Sequence, residues 1–268
     1  MNLNNWKSIF DGFEKFKVLI VGDAMIDAYM WGNINRQSPE APIPIVDITK
    51  HEKRLGGAAN VAINIKALGA EPILCSVIGN DKDAFFQLMK KEGLSTEGIL
   101  TDDRKTTIKT RVISAGKQML RIDSEDQHDL SSRETLALKD GISQLLQKGI
   151  DGILLEDYNK GVLTTELIQW VIQEASTRNI PIVVDPKKKN FLSYKGCTLF
   201  KPNLKELKEG LQIEFDYQKN PIALDAAIEK LQNQLDSRYT FVTLSEHGVQ
   251  LYDGQTHHHQ PAHLRNIA

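Results

Sequence analysis

Short apolar runs alternate with helical patterns along most of this chain, and that alternation restricts the fold more than any other feature. The first run, 18–21, is Val-Leu-Ile-Val, a continuous apolar stretch typical of strands buried on both faces. Apolar residues recur at helical spacing over 81–92 and 164–178, and Ser131 with Glu134 has the signature of a capping box at another helix start. The other predicted strands are 72–78, 152–155, 181–184, 198–200 and 239–244. The pattern predicts an α/β fold, with a doubly wound, mostly parallel sheet and helices on both faces.

A glycine pair, Gly56-Gly57, opens directly into a helical run at 58–68. Glycine permits a sharp bend and a close approach of a ligand to the backbone, and a helix N-terminus offers unpaired N–H groups. The side chain of Asn60 adds a donor and an acceptor suited to a hydroxylated or anionic ligand. The pair therefore indicates a binding loop, although a glycine turn with tight helix packing would give the same sequence.

Polar residues follow the predicted strands at the points where each strand ends. They are Asp23, Asp27, Glu156, Asp157, Asp185, Lys187, Asn203 and Ser245. Because ligands of parallel sheets bind outside the carboxyl ends of the strands, we expect these residues to gather at one edge of the sheet. The glycine-rich dinucleotide fingerprint and the phosphate loop ending in Gly-Lys-Ser/Thr are both absent from the sequence.

Two segments have β character without an intervening helix, and both interrupt the strand-helix alternation. They lie at about 40–55 and 106–123, and the first leads straight into the glycine pair. We therefore predict a small β lid over the binding loop, which would exclude water from a reaction. An edge hairpin that does not move is the alternative.

Charge and composition exclude several classes of function. The 33 Lys and Arg residues nearly balance the 35 Asp and Glu residues, for a formal net charge of −2, so we expect no nucleic-acid partner and no membrane surface. No apolar run approaches a membrane span, and the N-terminus lacks a secretion signal, which indicates a cytoplasmic protein. Cys75 and Cys197 lie in strand-like runs, where we expect buried thiols rather than a metal site or a disulfide. Apolar residues at 3, 6, 9, 10 and 13 predict a helix face that lies against the body of the protein.

A proline-containing run at 36–44, Arg-Gln-Ser-Pro-Glu-Ala-Pro-Ile-Pro, is the most discriminating motif. Together with Gly22-Asp23, Asp27 and Gly-Gly-Ala-Ala-Asn at 56–60, it resembles the ribokinase-like (PfkB) carbohydrate kinases. The motifs at 121–123, 157–161, 185–187 and 201–206 extend the resemblance over nearly the whole chain. Within the family, the sequence is most similar to the heptose-7-phosphate kinases of lipopolysaccharide-core assembly, which occur alone or as the first half of a bifunctional heptose kinase/adenylyltransferase.

The resemblance implies a reaction and its cofactors. The expected enzyme is a phosphotransferase that uses ATP and Mg²⁺ to phosphorylate the anomeric hydroxyl of heptose 7-phosphate. The product would be heptose 1,7-bisphosphate, for ADP-heptose and lipopolysaccharide-core biosynthesis. The expected partners are therefore a sugar phosphate and ATP.

The resemblance also implies which residues bind the sugar phosphate. They are Asp27, Gly56, Gly57, Asn60, Arg121, Asp157 and Lys160. A carboxylate at Asp27 would accept hydrogen bonds from two sugar hydroxyls, although an isolated aspartate here also fits a helix cap or a solvated charge. Arg121 and Lys160 are the candidates for the 7-phosphate, and on sequence alone each also fits a surface ion pair.

For the nucleotide, the resemblance implies Lys187, Asn203, Glu206, Ser245 and Gly248. Asn203 and Glu206 match the Asn-x-x-Glu motif of these kinases, which implies that Glu206 orders a hydrated Mg²⁺ ion through a water molecule. By spacing alone, the same pair is a helix N-cap followed by a glutamate at the third helical position. Lys187 would approach the transferred phosphoryl group or the nucleotide tail, and Ser245 and Gly248 would lie near the phosphates or ribose.

One motif of these kinases is absent from the sequence. It is Gly-Ala-Gly-Asp, whose backbone amides form an anion hole and whose aspartate is the catalytic base. We expect that aspartate to lie beyond Ala268, so residues 1–268 would be a single ribokinase-like kinase domain that is incomplete at its C-terminus. Because phosphoryl transfer depends on positioning and electrostatic stabilisation, we expect this chain to be weak or inactive by itself.

Two alternatives to the heptose kinase stay open. One is another ribokinase-like sugar kinase, and the other is a shortened, non-catalytic paralogue that binds sugar phosphate. Because lid strands of these kinases often pair between subunits, we also expect a homodimer through the β lid.

Overall fold

The structure is a computed structural model that describes residues 3–263, with side chains from residue 6 onward. The strands are β1 (Lys17–Gly22), β2 (Ala24–Gln37), β3 (Pro44–Gly57), β4 (Glu71–Gly79), β5 (Ile99–Asp102), β6 (Ile108–Ser114), β7 (Lys117–Ser124), β8 (Gly152–Glu156), β9 (Ile182–Asp185), β10 (Leu199–Phe200), β11 (Tyr239–Thr243), β12 (Val249–Tyr252) and β13 (His257–Gln260). The helices are α1 (Leu3–Asp11), α2 (Ala58–Ala67), α3 (Asp83–Lys91), α4 (Ser132–Leu146), α5 (Thr165–Thr177), α6 (Leu204–Leu211) and α7 (Pro221–Leu235).

A nine-stranded main sheet has the strand order β13-β12-β11-β10-β9-β8-β1-β4-β5. The ladders from β11 through β5 are all parallel, and only β12 and β13 are antiparallel to their neighbours. Parallel strands need crossover connections, and helices supply most of them here. The predicted doubly wound, mostly parallel sheet is therefore confirmed.

Side chains of β1 alternate between two hydrophobic cores, one on each face of the main sheet. Ile20 packs with α2 and α3, whereas Leu19 and Val21 pack with α4, α5, α6 and α7. All three are fully buried, as expected for a central parallel strand. The capping box predicted at Ser131 and Glu134 is present at the start of α4.

A second sheet has four strands in the order β3-β2-β6-β7, and we call it the lid after the predicted segments, whose covering role stays a prediction. Its strands β3, β6 and β7 correspond to the two predicted lid segments. The sequence analysis did not predict β2, which follows β1 after a single residue and pairs with β3 over nearly its whole length. Asp27 therefore lies inside a lid strand, and the expectation that it simply follows a strand of the main sheet was wrong.

The prediction that helix α1 packs one face against the body of the protein was wrong. Trp6, Ile9 and Phe10 keep 49%, 46% and 51% of their surface exposed, and the side chain at position 3 falls outside the described part. An amphipathic pattern predicts that a face seeks burial, but it does not identify the surface that covers it. Phe13, just beyond the helix, makes an edge-to-face contact with Phe10 at 5.2 Å.

Cys75 and Cys197 are both free thiols in the interior, as predicted. The longest helices among residues 3–263 have 15 residues, and none is long and apolar enough to span a bilayer.

Candidate functional site

The carboxyl ends of β1, β8, β9, β10 and β11 lie side by side along one edge of the main sheet. Backbone hydrogen bonds continue the ladders past the strand ends, from Asp23 N to Glu156 O and from Asp157 N to Asp185 O, both at 3.1 Å. At the far end, Asn203 forms a parallel bridge to the end of β11. Neighbouring strands are about 4.8 Å apart, so the end of β1, which leads into the strand that carries Asp27, lies about 19 Å from the end of β11, which pairs with Asn203.

Asp27 projects from β2, and other lid residues hold its carboxylate. Arg111 of β6 donates from Nη1 to Asp27 Oδ1 at 2.6 Å, and this hydrogen bond raises the pKa of Arg111. A Cβ atom at Gly56 would lie 2.4 Å from Asp27 Oδ2, so only glycine leaves room for the carboxylate. Within residues 3–263, no donor is bonded to Oδ2, and this oxygen remains available to a ligand.

The glycine pair shapes the start of α2. Gly57 has φ of +56°, and a Cβ atom there would lie 2.3 Å from Asp23 O. The same oxygen accepts a hydrogen bond from the N–H of Ala58 at 3.0 Å. Asn60 stands exposed in the first turn of the helix, where its amide is free to meet a ligand.

Lys160 and Arg121, the two predicted phosphate ligands, are joined by a chain of ion pairs. Lys160 Nζ lies 2.7 Å from Glu125, Lys109 lies 3.4 Å from both Glu125 and Asp123, and Arg121 Nε lies 2.9 Å from Asp123. Burial acts to raise the pKa of Glu125, but the hydrogen bonds from Lys160 and Gln127 and the positive charges of Lys109 and Lys160 together outweigh it and lower that pKa. The structure thus connects the two residues without direct contact.

The lid also places two arginines face to face. Arg111 lies directly opposite Arg121 across the β6–β7 ladder. Like charges in directly opposed positions repel each other, and here Asp27 pairs with Arg111 and Asp123 pairs with Arg121. Sequence analysis identified Arg121 but missed Arg111, because period-2 alternation does not reveal which strand lies alongside Asp27.

Asp157 points into the protein. Its side chain is 1% exposed and accepts hydrogen bonds from the Tyr194 hydroxyl and from Asn159 N, both at 2.7 Å. The side-chain amide of Asn190 lies at 3.5 Å. The carboxylate is therefore occupied by protein donors, and its predicted contact with substrate stays a prediction.

Tyr158 follows β8 in the loop at 158–162, and it was not selected from the sequence as a site residue. Its hydroxyl is hydrogen-bonded to Glu156, and Lys187 Nζ lies 5.7 Å from the centre of its ring. Burial raises the pKa of Tyr158 to about 12, and the carboxylates of Glu156, Asp185 and Asp27 add to the effect. The hydroxyl therefore lies within electrostatic range of Asp27 on the lid and of Asp185 at the end of β9.

Glu156 is a buried carboxyl group at the end of β8. Burial raises its pKa to about 8, with a further contribution from Asp185, while Lys201 and Lys187 act in the opposite direction. Lys201 Nζ lies 2.6 Å from Asp185 Oδ2. At neutral pH the group is therefore mainly protonated.

Asn203 and Glu206 form the capping box that their spacing predicted. Asn203 Oδ1 accepts from Glu206 N at 2.8 Å, and Glu206 Oε2 accepts from Asn203 N at 2.9 Å. Lys187 donates to Glu206 Oε1 at 2.5 Å. Burial acts to lower the pKa of Lys187, but the hydrogen bond to Glu206 and the negative charges of Glu206, Asp185 and Glu156 together outweigh it and raise that pKa.

No direct metal site is evident at this position. Within residues 3–263, no group of three or more His, Cys, Asp or Glu side chains is arranged to hold an ion. Both oxygens of Glu206 already accept hydrogen bonds. The role of this residue toward Mg²⁺ stays a prediction.

A cavity of about 750 Å³ lies between α6 and the turn after β11. Asn203, Lys208, Tyr217 and Ser245 are among the residues that line it. Its volume is in the range of small-molecule sites, about 300–1,000 Å³. Gly248 closes the turn with φ of +92°, and a Cβ atom there would lie 2.0 Å from a backbone oxygen of β13.

Comparisons with known proteins agree with this architecture. The profile of the pfkB family carbohydrate kinases matches residues 15–266. Two curated relatives are named bifunctional protein HldE. The one from Helicobacter pylori J99 is 41% identical over 236 residues, covering 87% of this chain and 50% of the relative. The one from Campylobacter jejuni serotype O:2 is 42% identical over 241 residues, covering 90% of this chain and 50% of the relative.

The chain thus spans about half the length of the curated relatives that it matches. Among solved structures, phosphofructokinase-2 from Escherichia coli, in complex with fructose-6-phosphate, has the same fold, with a TM-score of 0.71 at 18% identity. That likeness covers 92% of this chain and 79% of the other. Since the family profile matches nearly the whole sequence, the chain belongs to the pfkB family of carbohydrate kinases.

Proposed function

We propose that this protein is an ATP-dependent kinase that phosphorylates the anomeric hydroxyl of heptose 7-phosphate. The main support is that β1, which leads directly into the lid strand carrying Asp27, and β11, which pairs with Asn203, end at the same edge of the main sheet. The resemblance of 36–44 to heptose-7-phosphate kinases supports the choice of sugar. Identity of 41–42% to relatives named HldE is consistent with that choice.

At the sugar end, Asp27 Oδ2 accepts hydrogen bonds from the sugar hydroxyls, and Arg111 keeps the carboxylate oriented. Asn60 supplies a further donor and acceptor at the start of α2. The 7-phosphate is bound by Lys160 and Arg121. A dianion there would compete with the carboxylates that now pair with these cations.

At the nucleotide end, ATP occupies the cavity beside Asn203 and Ser245, and Lys187 lies near the γ-phosphate. The anomeric oxygen forms a bond to the γ-phosphorus while the bond from that phosphorus to the departing ADP oxygen breaks. The hydroxyl proton passes to a water molecule, because the sequence lacks the aspartate that is the base in this family. Tyr158 helps to separate the reacting groups from bulk water.

Mg²⁺ would neutralise charge on the phosphates when bound. The residues present fit an ion held through its water shell, because Glu206 already accepts two hydrogen bonds and Mg²⁺ dehydrates reluctantly. Asp185, at the end of β9 on the same edge of the sheet, would contact those waters.

We further propose that the 268 residues form one kinase domain and transfer phosphoryl groups slowly by themselves. The sequence contains no Gly-Ala-Gly-Asp motif, so it lacks the anion hole and base that its family uses. Binding of sugar phosphate and nucleotide should survive this loss, because the residues assigned to binding are present.

Calorimetric titration with heptose 7-phosphate, fructose 6-phosphate and ribose tests the substrate. We expect heptose 7-phosphate to bind at least about 10-fold more tightly than the other two, because an unpaired phosphate or hydroxyl site costs about 1–3 kcal/mol. The Asp27→Asn variant should lose that preference. Equal affinity for fructose 6-phosphate would favour another sugar kinase of the family.

An assay of ADP release in the presence of heptose 7-phosphate tests the activity. Tight binding with slow turnover is the expected result. Turnover at an ordinary kinase rate would contradict the proposed loss of activity, and binding without any turnover would favour the non-catalytic paralogue.

We also propose a homodimer in which the lids of two subunits meet. Lid strand β7 exposes Leu120 and Ile122, and Ile43 beside β3 is 57% exposed. Apolar side chains on an open sheet are a common interface between subunits.

A further inference from the structure

Asp23 is a buried carboxylate that the proposed reaction does not use. It is the single residue between β1 and β2, and it is 1% exposed. Its Oδ2 accepts hydrogen bonds from Tyr158 N at 2.7 Å and Lys160 N at 3.0 Å, and its Oδ1 accepts one from Val162 N at 3.1 Å. Three backbone N–H groups of one loop therefore point at one carboxylate.

The loop at 158–162 is shaped around that carboxylate. Asn159 and Gly161, which alternate with the three donors, have φ of +55° and +90°. Such left-handed residues turn successive N–H groups toward one side and form a concave anion site. A Cβ atom at Gly161 would lie 1.9 Å from a backbone oxygen of His128, so the loop is fixed from its outer side as well.

The backbone of Asp23 contacts the second binding loop. Its carbonyl oxygen accepts from Ala58 N at 3.0 Å, directly after the glycine pair, and its N–H donates to Glu156 O at 3.1 Å. One residue thus connects the loop that carries Lys160 to the loop that carries Gly57. Burial raises the pKa of Asp23, and the three N–H donors oppose this by favouring the charged form.

We propose that Asp23 is a positioning residue, whose carboxylate holds the 158–162 loop so that Tyr158 and Lys160 enter the cleft from a fixed place beside the glycine pair. That this loop position favours the binding of a sugar phosphate rests on the proposed function. That Asp23 holds the loop in place does not depend on the proposed function. Without the carboxylate, three buried or half-buried N–H groups would lose their acceptor, and the loop would adopt other conformations.

Amide hydrogen exchange on the unmodified protein is the first test. We expect the amides of Tyr158, Lys160 and Val162 to exchange as slowly as those of strand β8, although they belong to a loop. Exchange at the rate of an exposed turn, such as 253–256, would overturn the proposal. This measurement needs no variant, so it shows whether the loop is held even if substitutions at Asp23 prevent folding.

The Asp23→Asn variant is the second test, because it keeps the size of the side chain but turns an amide NH₂ toward one of the three donors. We expect exchange at the three amides to rise at least about 10-fold, as for the loss of one hydrogen bond. By calorimetry, the affinity for heptose 7-phosphate should fall about 10-fold while that for ADP changes less than about 2-fold. The matched control is Asp151→Asn, which removes a carboxylate acceptor for Lys17 N at the opposite end of β1. This variant should leave the affinities for heptose 7-phosphate and for ADP unchanged.

The outcomes distinguish the effect of Asp23 on the loop from its effect on sugar-phosphate binding. Faster exchange with unchanged sugar-phosphate affinity would make Asp23 a merely structural residue and overturn its positioning role. Equal losses of sugar-phosphate and ADP affinity would do the same, because they would indicate general damage. If the unmodified protein bound no sugar phosphate, the proposed function would fail, and hydrogen exchange would still decide whether Asp23 holds the loop.

Discussion

At the scale of single residues, the site depends on close approaches that leave no room for substitution. Gly56 lies against the carboxylate of Asp27, and Glu156 is a carboxyl group without full access to water. Substituting Gly56 should change ligand affinity, and substituting Glu156 should change the pH dependence of stability, so both can be tested without an activity assay.

Gly56→Ala should weaken sugar-phosphate binding at least about 10-fold, because the new Cβ atom would displace Asp27 Oδ2 from its place 2.4 Å away. Affinity for ADP should not change. Calorimetric titration of each ligand measures both effects. Gly141→Ala in α4 is the matched control, since nothing lies within 4 Å of its Cβ position, and it should stabilise the helix by about 0.5–1 kcal/mol. Unchanged sugar-phosphate affinity in Gly56→Ala would refute the contact.

Glu156→Gln should change how stability depends on pH. The pKa of Glu156 is raised from 4.5 to about 8 in the folded protein. The folded state therefore keeps a proton that the unfolded chain releases, and this stabilisation is full below pH 4.5 and is lost as pH rises through about 8. The slope is at most about 1.4 kcal/mol for each pH unit between these values.

Urea denaturation at pH 5, 6.5 and 8 tests this effect. The free energy of unfolding of wild type should fall relative to that of Glu156→Gln as pH rises. Glu71→Gln, at the exposed amino end of β4, is the control for removing a carboxylate. Parallel curves for wild type and Glu156→Gln would argue against a buried proton at this position.

At the scale of elements, periodicity predicted the main sheet well and the lid incompletely. The predicted strands 72–78 and 152–155 match β4 and β8 within a residue or two, because buried parallel strands are continuous apolar runs. Strand β2 was missed since it follows β1 after one residue, with no turn signal between them, and its outer half is exposed and polar. Local patterns do not encode that the chain leaves one sheet and enters another.

The candidate site was predictable to a similar extent. The resemblance to a family selected Asp27, Gly56 and Asn203, whose spacing alone fits a cap, a turn or a solvated charge equally well, and their binding roles stay predictions. Arg111 and Tyr158 were missed because their importance comes from strand pairing and loop shape, which bring together residues far apart in the chain.

Two helices begin with the same capping box, and this gives a matched pair of variants. Ser131→Ala and Asn203→Ala should each lower the free energy of unfolding by about 1 kcal/mol through loss of the cap. Only Asn203 lines the cavity assigned to the nucleotide, so only Asn203→Ala should also weaken ADP binding. Urea denaturation and ADP titration measure the two effects. Equal ADP affinity in both variants would leave Asn203 with a capping role alone.

At the scale of the whole molecule, the lid is a second sheet with exposed apolar side chains on its outermost strand. If two lids meet, Ile122→Glu should convert a dimer to a monomer in light scattering, because a buried, unpaired carboxylate is costly. Leu136→Glu is the matched control, since Leu136 on α4 is 61% exposed and lies away from the lid. A wild-type protein that is monomeric at micromolar concentration would contradict the proposed interface.

The lid strand β2 carries Asp27, so the carboxylate that we propose for sugar binding lies on the second sheet and not at the edge of the main sheet. If the second sheet closes when the sugar binds there, recognition and enclosure would be a single event that the acceptor sugar drives. ATP bound beside Asn203 would not contact Asp27, so hydrolysis of ATP without an acceptor would be restrained without any separate sensing device.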